Sequence, residues 1–571
     1  MLRLARNSLR GTRFPRTNGV RYTSSTPRIA GRRLALVSGG AALSLGLATI
    51  LASKTYADSA TAVAFPATSR SKRDDPEATR SSFGTLVRTY VVYTMCSIPA
   101  LVDNAPWLLE TFSSIPGLRW ITEAIVRVTF FDQFVGGDTA AETLPQLHAL
   151  RTANTGALFA YSVEVDEGEA MAASASGSPR DRNPHKAIVD EMVHCIDVAA
   201  DFEDALGAKQ TGRRTWVAVK ITALVPDASA LIRLSSHIIS TRPPTYAPPV
   251  AFPGNPTPSD LDVLYTPKAP TGPLSPTDLA MLRDLHADLD RICTRAAARG
   301  VRIIIDAEYS WYQPALDALV LALMRRFNAP TSSGAQQQSQ LQPLVYATFQ
   351  AYLRRTPAQL VHALRDARTH GYALGVKLVR GAYHTHETAA HPVPGAGAPS
   401  AKGQAQTLSI SPEALPPVWL DKADTDAAYD ACAGVLLDAA AADVKSGRPQ
   451  GFGVLFGTHN WASCKKIMAG LVQRGLAAPT PEGKLRVAER VGERVTFGQL
   501  YGMCDDLTEY LAQHTESGSP MVIKYVPYGA LSETMPYLSR RAIENKSVLG
   551  GGTAQAERKR AWDLIWQRLF G

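Results

Sequence analysis

Two consecutive arginines, Arg540 and Arg541, stand in the run Tyr537-Leu538-Ser539-Arg540-Arg541-Ala542-Ile543-Glu544-Asn545, near the end of a 571-residue chain. A guanidinium grips a carboxylate through two parallel hydrogen bonds, so a pair of them makes a clamp for a small carboxylate. Adjacent helical side chains diverge by about 100°, but both long stems can bend toward one anion. A bare Arg-Arg pair is more often a solvated basic face. Tyr537 and Glu544 argue against that here, because Tyr537 to Arg541 and Arg540 to Glu544 are each one helical step of four. Upstream, polar and charged groups repeatedly close short apolar runs: Lys220, Asp306 with Glu308, Gln350, Lys377 with Arg380, Thr458-His459-Asn460, Gln499 and Tyr525. Any one of these charges reads equally well as a structural ion pair. Several arriving at the same end of successive runs fit a shared site better, since a buried unpaired charge is costly. The chemistry implied is a cationic, aromatic-lined pocket for a small carboxylate. No Gly-rich dinucleotide fingerprint and no His-Glu-x-x-His spacing occurs, and no metal is expected. His459 reads either as a catalytic group or as a packing and ligand-orienting one.

The elements that must carry these groups are eight apolar runs: 157–164, 216–224, 301–308, 344–350, 373–380, 453–458, 494–500 and 521–526. Most are continuous rather than alternating, as in strands buried on both faces of a parallel sheet. Amphipathic helical patterns such as Thr277 to Ala298 and Pro357 to Thr369 lie between several of them. Eight such strands alternating with helices predict an α/β fold, a closed (β/α)8 TIM-type barrel, with reacting groups at the C-terminal strand ends. A helix is expected over Ala530 to Asn545, after the last strand. Residues 83–150 read as an N-terminal helical segment with two apolar faces, one of Leu86, Tyr90, Tyr93, Met95 and Cys96, the other of Ile121, Ile125, Phe130 and Phe131. Gly136-Gly137 ends that pattern. The barrel would occupy 151–571. Pro/Thr-, Gln- and Ala/Pro/Gly-rich composition marks 226–276, 329–342 and 386–417 as flexible, disordered insertions.

The net charge of +9 comes largely from the first 57 residues, which hold nine arginines and no Asp or Glu. An Arg-, Ser- and Thr-rich stretch without acids has the composition of a mitochondrial transit peptide, and nucleic-acid binding is not expected. Within it, Leu34 to Ser53 is uncharged and of spanning length. It fits an inner-membrane anchor or part of a cleaved presequence. Residues 58–82 read as a linker. Six scattered cysteines without a Cys-x-x-Cys pair suit a reducing compartment.

These motifs resemble the proline dehydrogenase family. The resemblance rests on Val-Lys-Ile-Thr-Ala-Leu (219–224), Asp-Ala-Glu (306–308), Gln-Ala-Tyr-Leu (350–353), Lys-Leu-Val-Arg-Gly-Ala-Tyr (377–383) and Gly-Thr-His-Asn (457–460). It continues with Gln-Leu-Tyr-Gly-Met-Cys-Asp (499–505), Tyr-Val-Pro-Tyr-Gly (525–529) and Pro-Tyr-Leu-Ser-Arg-Arg-Ala-Ile-Glu-Asn (536–545). The match is to the monofunctional eukaryotic mitochondrial form. It implies a distorted barrel holding FAD, oxidation of L-proline to Δ1-pyrroline-5-carboxylate, ubiquinone as electron acceptor, and association with the matrix side of the inner membrane. It implies that Lys220, Arg540 and Arg541 bind the proline carboxylate, and that Leu500, Tyr525 and Tyr537 wall its ring. Asp306 would hold and polarise the groups around the substrate through Tyr525. Gln350, Lys377, Arg380, Gly381, Ala382, Thr458 and His459 would contact FAD, with Glu544 on the cofactor side of the catalytic helix. Lys377 and Gly457 depart from the Arg and Ala common at those positions. Hydroxyproline-using relatives tend to carry a smaller residue at position 537, so Tyr537 favours proline. The alternatives are a hydroxyproline dehydrogenase on the same fold and a non-catalytic mitochondrial binding protein. The C-terminal stretch Trp562 to Phe570 is expected to pack on the barrel, cap the site or touch the bilayer.

Overall fold

The structure, a computed structural model, describes residues 82–570 apart from 116, 163–183, 208–211, 243–249, 268–271, 331–342, 392–407, 447–450 and 548–552. The chain divides into two compact units, Met1–Asp75 and Pro76–Gly571. The first lies outside the described residues, and with it the expected transit peptide, the Leu34 to Ser53 run and most of the linker. Ser82 already caps the first helix, Phe83–Cys96, accepting a hydrogen bond from the Thr85 amide.

The eight expected runs form one closed parallel barrel. In chain order the strands are β1 Thr155–Tyr161, β2 Thr215–Val219, β3 Ile303–Ile305, β4 Val345–Gln350, β5 Leu374–Val379 and β6 Phe452–Gly457. A small separate sheet holds β7 Ala477–Pro479, β8 Leu485–Val487 and β10 Thr515–Glu516, while β9 Val495–Leu500 and β11 Val522–Tyr528 complete the barrel. The barrel closes in the order β1-β11-β9-β6-β5-β4-β3-β2. Every barrel pair is parallel, with Thr155 opposite Val522 and Lys377 opposite both Thr348 and Leu455.

Why these strands close is visible in their side chains. Outward residues such as Val217, Ile303, Phe349, Val376, Val454 and Phe497 join the layer of surrounding helices in one apolar core. Inward residues Leu158, Trp216, Ile304, Tyr346, Leu455 and Ile523 fill the lumen as a second cluster, so the barrel is a packed core and not a pore. The rings of Trp216 and Tyr346 lie 5.1 Å apart there. Gly375 and Gly453 make room for Tyr346: a Cβ at Gly453 would lie 2.3 Å from the Tyr346 hydroxyl. The helix Pro276–Arg299 carries a Ser275/Asp278 capping box and ends at Gly300 with φ 65°, the punctuation that such helices favour.

Three differences from expectation have physical causes. Two strands are shorter than their apolar runs: β2 stops at Val219 before a 3-10 turn at Thr222–Leu224, and β3 spans only Ile303–Ile305. Lys220, Asp306 and Glu308 therefore stand just beyond strand ends. Residues 226–276 are not a flexible insertion throughout. They contain the helix Ser229–Thr241, which buries Leu231, Leu234 and Ile238 at a 3- and 4-residue spacing, followed by Pro258–Leu261 and Asp262–Tyr265. The Pro and Thr residues dominated the composition while the helical stripe did the packing. Likewise Ser409–Val418 is tied down, with Glu413 accepting from the Phe252 amide and pairing with Arg354.

The C-terminal helix, Thr553–Phe570, packs mainly on Phe83–Cys96, through Leu86, Leu564 and Ile565 and a Tyr90–Trp562 ring contact of 5.3 Å, and reaches the barrel where Arg560 pairs with Asp505 after β9 at 3.9 Å. Of the two apolar faces expected in 83–150, the first is buried at Leu86, Tyr93 and Cys96. The second is split: Phe131 is buried, but Ile121 and Ile125 are exposed.

Candidate active site

Asp306 lies in the loop after β3 and is buried. One of its oxygens accepts from Lys377 Nζ of β5 at 2.6 Å, and the other accepts from the Tyr525 hydroxyl of β11 at 3.3 Å. Lys377 also stands 5.3 Å from the Tyr525 ring centroid. One carboxylate thus joins three strands of the barrel and fixes a cation and a phenol side by side.

Beside this cluster, Glu308 is fully buried and accepts from the Thr222 amide and hydroxyl. Burial pushes its carboxyl above the usual range, and the nearby Lys220 cation works in the opposite direction. Gln350, at the end of β4, donates to the Glu308 carbonyl and toward the Tyr352 hydroxyl, at 3.2 and 3.3 Å. Its own carbonyl oxygen is buried without a hydrogen-bond partner, a free acceptor aimed for a donor that the chain itself does not supply.

After β5, Arg380 is fully engaged. It donates to Asp426 at 2.6 Å, to Thr458 Oγ1 at 2.7 Å and to Ser463 Oγ at 2.9 Å, and its guanidinium lies 4.3 Å from the Tyr429 ring centroid. Gly381 follows with φ 129°, and a Cβ there would fall 2.5 Å from the Tyr352 ring. No other residue type fits this turn without displacing the ring. Ala382 completes the turn before Tyr383.

His459, after β6, accepts the Leu500 amide on Nε2 at 2.9 Å. An accepting Nε2 leaves the proton on Nδ1. Burial drives the imidazolium pKa down to about 3, helped by the Lys524 and Arg541 cations. His459 is therefore neutral across the physiological range, an acceptor on Nε2 with its proton on Nδ1, and not a cation.

The helix Leu531–Ser547 crosses the mouth. Tyr537 is 3% exposed and packs in a cluster with Leu538, Phe131 and Phe134, against which Leu500 and Tyr525 also pack. Arg541 lies 4.9 Å from the Tyr537 ring centroid and pairs with Glu544 at 2.7 Å, the i, i+3 spacing. Glu544, one helical step of four from Arg540, thus also reaches Arg541. Arg540 lies 5.5 Å from the Tyr383 ring centroid, which links this helix to the end of β5. The two arginines therefore approach the mouth from the same helix while one is held by Glu544 and the other rests on aromatic faces.

Lys220, Asp306, Gln350, Arg380, Thr458, His459 and Leu500 stand at or just beyond C-terminal strand ends, Lys377 and Tyr525 lie within β5 and β11, and Tyr537, Arg540, Arg541 and Glu544 are on the helix that follows. Several residues of the site were not singled out from the sequence. Asp426, Tyr429 and Ser463 hold Arg380 from neighbouring helices whose sequences carry no motif. Lys524 is held by Asp505 at 2.7 Å and by the Leu500 and Met503 carbonyls, and it braces the loop under His459. Tyr352 and Tyr383 sat inside quoted motifs, but nothing in the motif reveals a packing role. Among the described residues no group of His, Cys, Asp or Glu could hold a metal ion, and all six cysteines are buried and unpaired.

Residues 180–551 match the family described as Proline dehydrogenase. A hydroxyproline dehydrogenase from Rattus norvegicus is 29% identical over 491 residues, covering 85% of this chain and 91% of the relative. Proline dehydrogenase 1, mitochondrial, from Arabidopsis thaliana is 27% identical over 474 residues, covering 82% and 80%. A crystal structure of proline utilization A from Bdellovibrio bacteriovorus is similar in fold, with a TM-score of 0.50 at 20% identity over 81% of this chain and 37% of that longer one.

Proposed function

The chain belongs to the proline dehydrogenase family, and from that premise we propose that it oxidises L-proline to Δ1-pyrroline-5-carboxylate, passing a hydride to FAD. This is the first step of proline degradation toward glutamate. The electrons go on to the ubiquinone pool, and the enzyme works at the matrix side of the mitochondrial inner membrane.

The observation that carries the reading is the Asp306 carboxylate, which receives Lys377 and Tyr525 at the mouth beneath a helix that brings in Arg540, Arg541 and Tyr537. FAD is supported by the residues present. The unpartnered oxygen of Gln350 suits a ring N–H of the cofactor, and the Gly381 turn leaves room for close approach. Lys377, Arg380, Ala382, Thr458 and His459 would hold it, with Glu544 on its side of the catalytic helix. The cofactor, when bound, accepts the hydride and supplies the redox chemistry.

The chain's own share is positioning and electrostatics. Arg540, Arg541 and Lys220 bind the substrate carboxylate by charge-assisted bonds. Leu500, Tyr525 and Tyr537 wall the ring, fixing the carbon next to nitrogen in one orientation. Asp306 holds Tyr525 in place, and buried Tyr537 excludes water. The same cations favour the neutral over the protonated amine of proline, so the amine loses its proton more readily in the site than in solution.

Hydroxyproline is the second reading, favoured by the similarity to hydroxyproline dehydrogenases. Against it stands the bulk of Tyr537, buried in the cluster that Leu500 and Tyr525 pack against, which would crowd an added ring hydroxyl. Comparing kcat/KM for the two imino acids tests this directly. Proline is expected to win, and Tyr537→Ser is expected to shift preference toward hydroxyproline. A wild-type preference for hydroxyproline would replace the first reading with the second.

A further inference from the structure

The helix Leu118–Val126 fully buries none of its nine residues. Nine residues are too few for a helix to persist on propensity alone, and its apolar stripe of Ile121, Ile125 and the following Val128 faces out. Trp120 on this arm is 74% exposed, and Trp107 on the preceding helix, Ala105–Ser113, is 61% exposed. Exposed apolar side chains in such density mark a surface that something covers.

The charges of this hairpin are arranged so that the face can leave water. Arg119 pairs with Glu123 at 2.7 Å, and just beyond the hairpin Arg127 makes a two-pronged pair with Asp138 at 2.6 and 2.8 Å. Tryptophans on both arms suit the boundary between headgroups and acyl chains, where an amphipathic ring is at home. A standard protein interface takes about 20–30 residues a side, far more than this stripe offers, so a second copy of the chain is a poor occupant. The same chain turns immediately, through a π-helical stretch at Arg127–Phe131, into Phe130, Phe131 and Phe134. These pack with Leu500, Tyr525 and Tyr537 at the barrel mouth.

We propose that the hairpin formed by Ala105–Ser113 and Leu118–Val126 is an interfacial membrane anchor. Its Trp and Ile face lies at the headgroup–acyl boundary of a phospholipid bilayer and sets the mouth beside the layer that dissolves the quinone. The proposal rests on the reading of a lipid-dissolved electron acceptor. It requires no spanning helix, and none of the described helices is long and apolar enough to be one.

Because the native cysteines are buried, a surface cysteine can be labelled selectively. In the full chain, Ile121→Cys and, as control, Glu482→Cys, which is exposed on the small sheet's loop, carry an environment-sensitive fluorophore. Phosphatidylcholine vesicles are added, with and without phosphatidylglycerol. The emission at 121 is expected to rise and blue-shift while that at 482 stays constant. Ile121→Asp is expected to lower reduction of vesicle-dissolved quinone by about tenfold while leaving proline-driven reduction of a soluble dye unchanged. A silent probe at 121 overturns the proposal, even if the chain binds vesicles through its first 81 residues. A probe response that follows protein concentration without vesicles overturns it in favour of a second copy. The probe reports docking whether or not proline is oxidised, so a failure of the catalytic reading shows in the dye assay alone.

Discussion

Asp306 meets Lys377 and Tyr525 in a pocket where both charges are largely buried, so each depends on the other. In Asp306→Asn the cation and the phenol lose their common anchor, and kcat for proline should fall on the order of 10²-fold. Steady-state dye reduction measures it, and an unchanged kcat would remove Asp306 from the account. Arg541→Met should act differently. It removes the proposed contact to the substrate carboxylate, a group that does not change during the reaction, so KM for proline should rise on the order of 10²-fold with a smaller effect on kcat. His459 gives a pH signature. Its imidazolium is disfavoured in the folded state, with a pKa near 3 against 6.5 for the free side chain. The unfolded chain therefore takes up this proton first, and the contribution of neutral His459 to stability is complete above about pH 6.5 and is lost as pH falls toward 3. Nitrogen NMR of labelled histidine should show an Nδ1–H tautomer that does not titrate between pH 8 and pH 5. A midpoint near 6.5 would contradict the buried geometry.

At the scale of elements, the turn after β5 and the lumen of the barrel are the most constrained. Gly381→Ala would drive a methyl group into the Tyr352 ring at a φ that alanine disfavours. The expected result is a loss of about 1–3 kcal/mol of stability together with weaker flavin retention. Thermal unfolding with and without added FAD reads both, and wild-type retention in this variant would count against the cradle. The eight barrel strands were legible because continuous runs such as Val217 to Val219 and Ile303 to Ile305 are buried on both faces, and the helix Pro276–Arg299 because its capping signals are local. The helix Ser229–Thr241 was not legible, since its flanks are rich in Pro and Thr. Nor was the small sheet β7-β8-β10, whose strands are two or three residues long. The partners of Arg380 were hidden for a different reason: Asp426 and Ser463 reach it from helices distant in sequence, and only the closed barrel brings them together.

At the scale of the molecule, the basic excess of the chain sits mainly in its first 57 residues, while the barrel presents mixed charges in pairs. The helix Leu531–Ser547, the N-terminal helices and the C-terminal helix all gather on one side of the fold, through contacts such as Tyr93 to the Gly502 carbonyl at 3.0 Å and the Phe131–Tyr537 cluster. The barrel supplies a rigid ring of strand ends, and the flanking helices decide what closes over it. Truncating the C-terminal helix before Thr553 would expose Leu86 and Tyr90. The expected cost falls on stability first, so soluble dye and quinone activities should decline together, in contrast to the selective loss expected for Ile121→Asp. The central claim is that this mouth holds a flavin and oxidises proline on it. The most direct test is the visible absorption spectrum of the purified full chain before and after anaerobic L-proline. Flavin bands that bleach on adding proline are the predicted result. A folded protein that takes up no flavin when supplied with FAD, or whose flavin bands persist with proline, would contradict it.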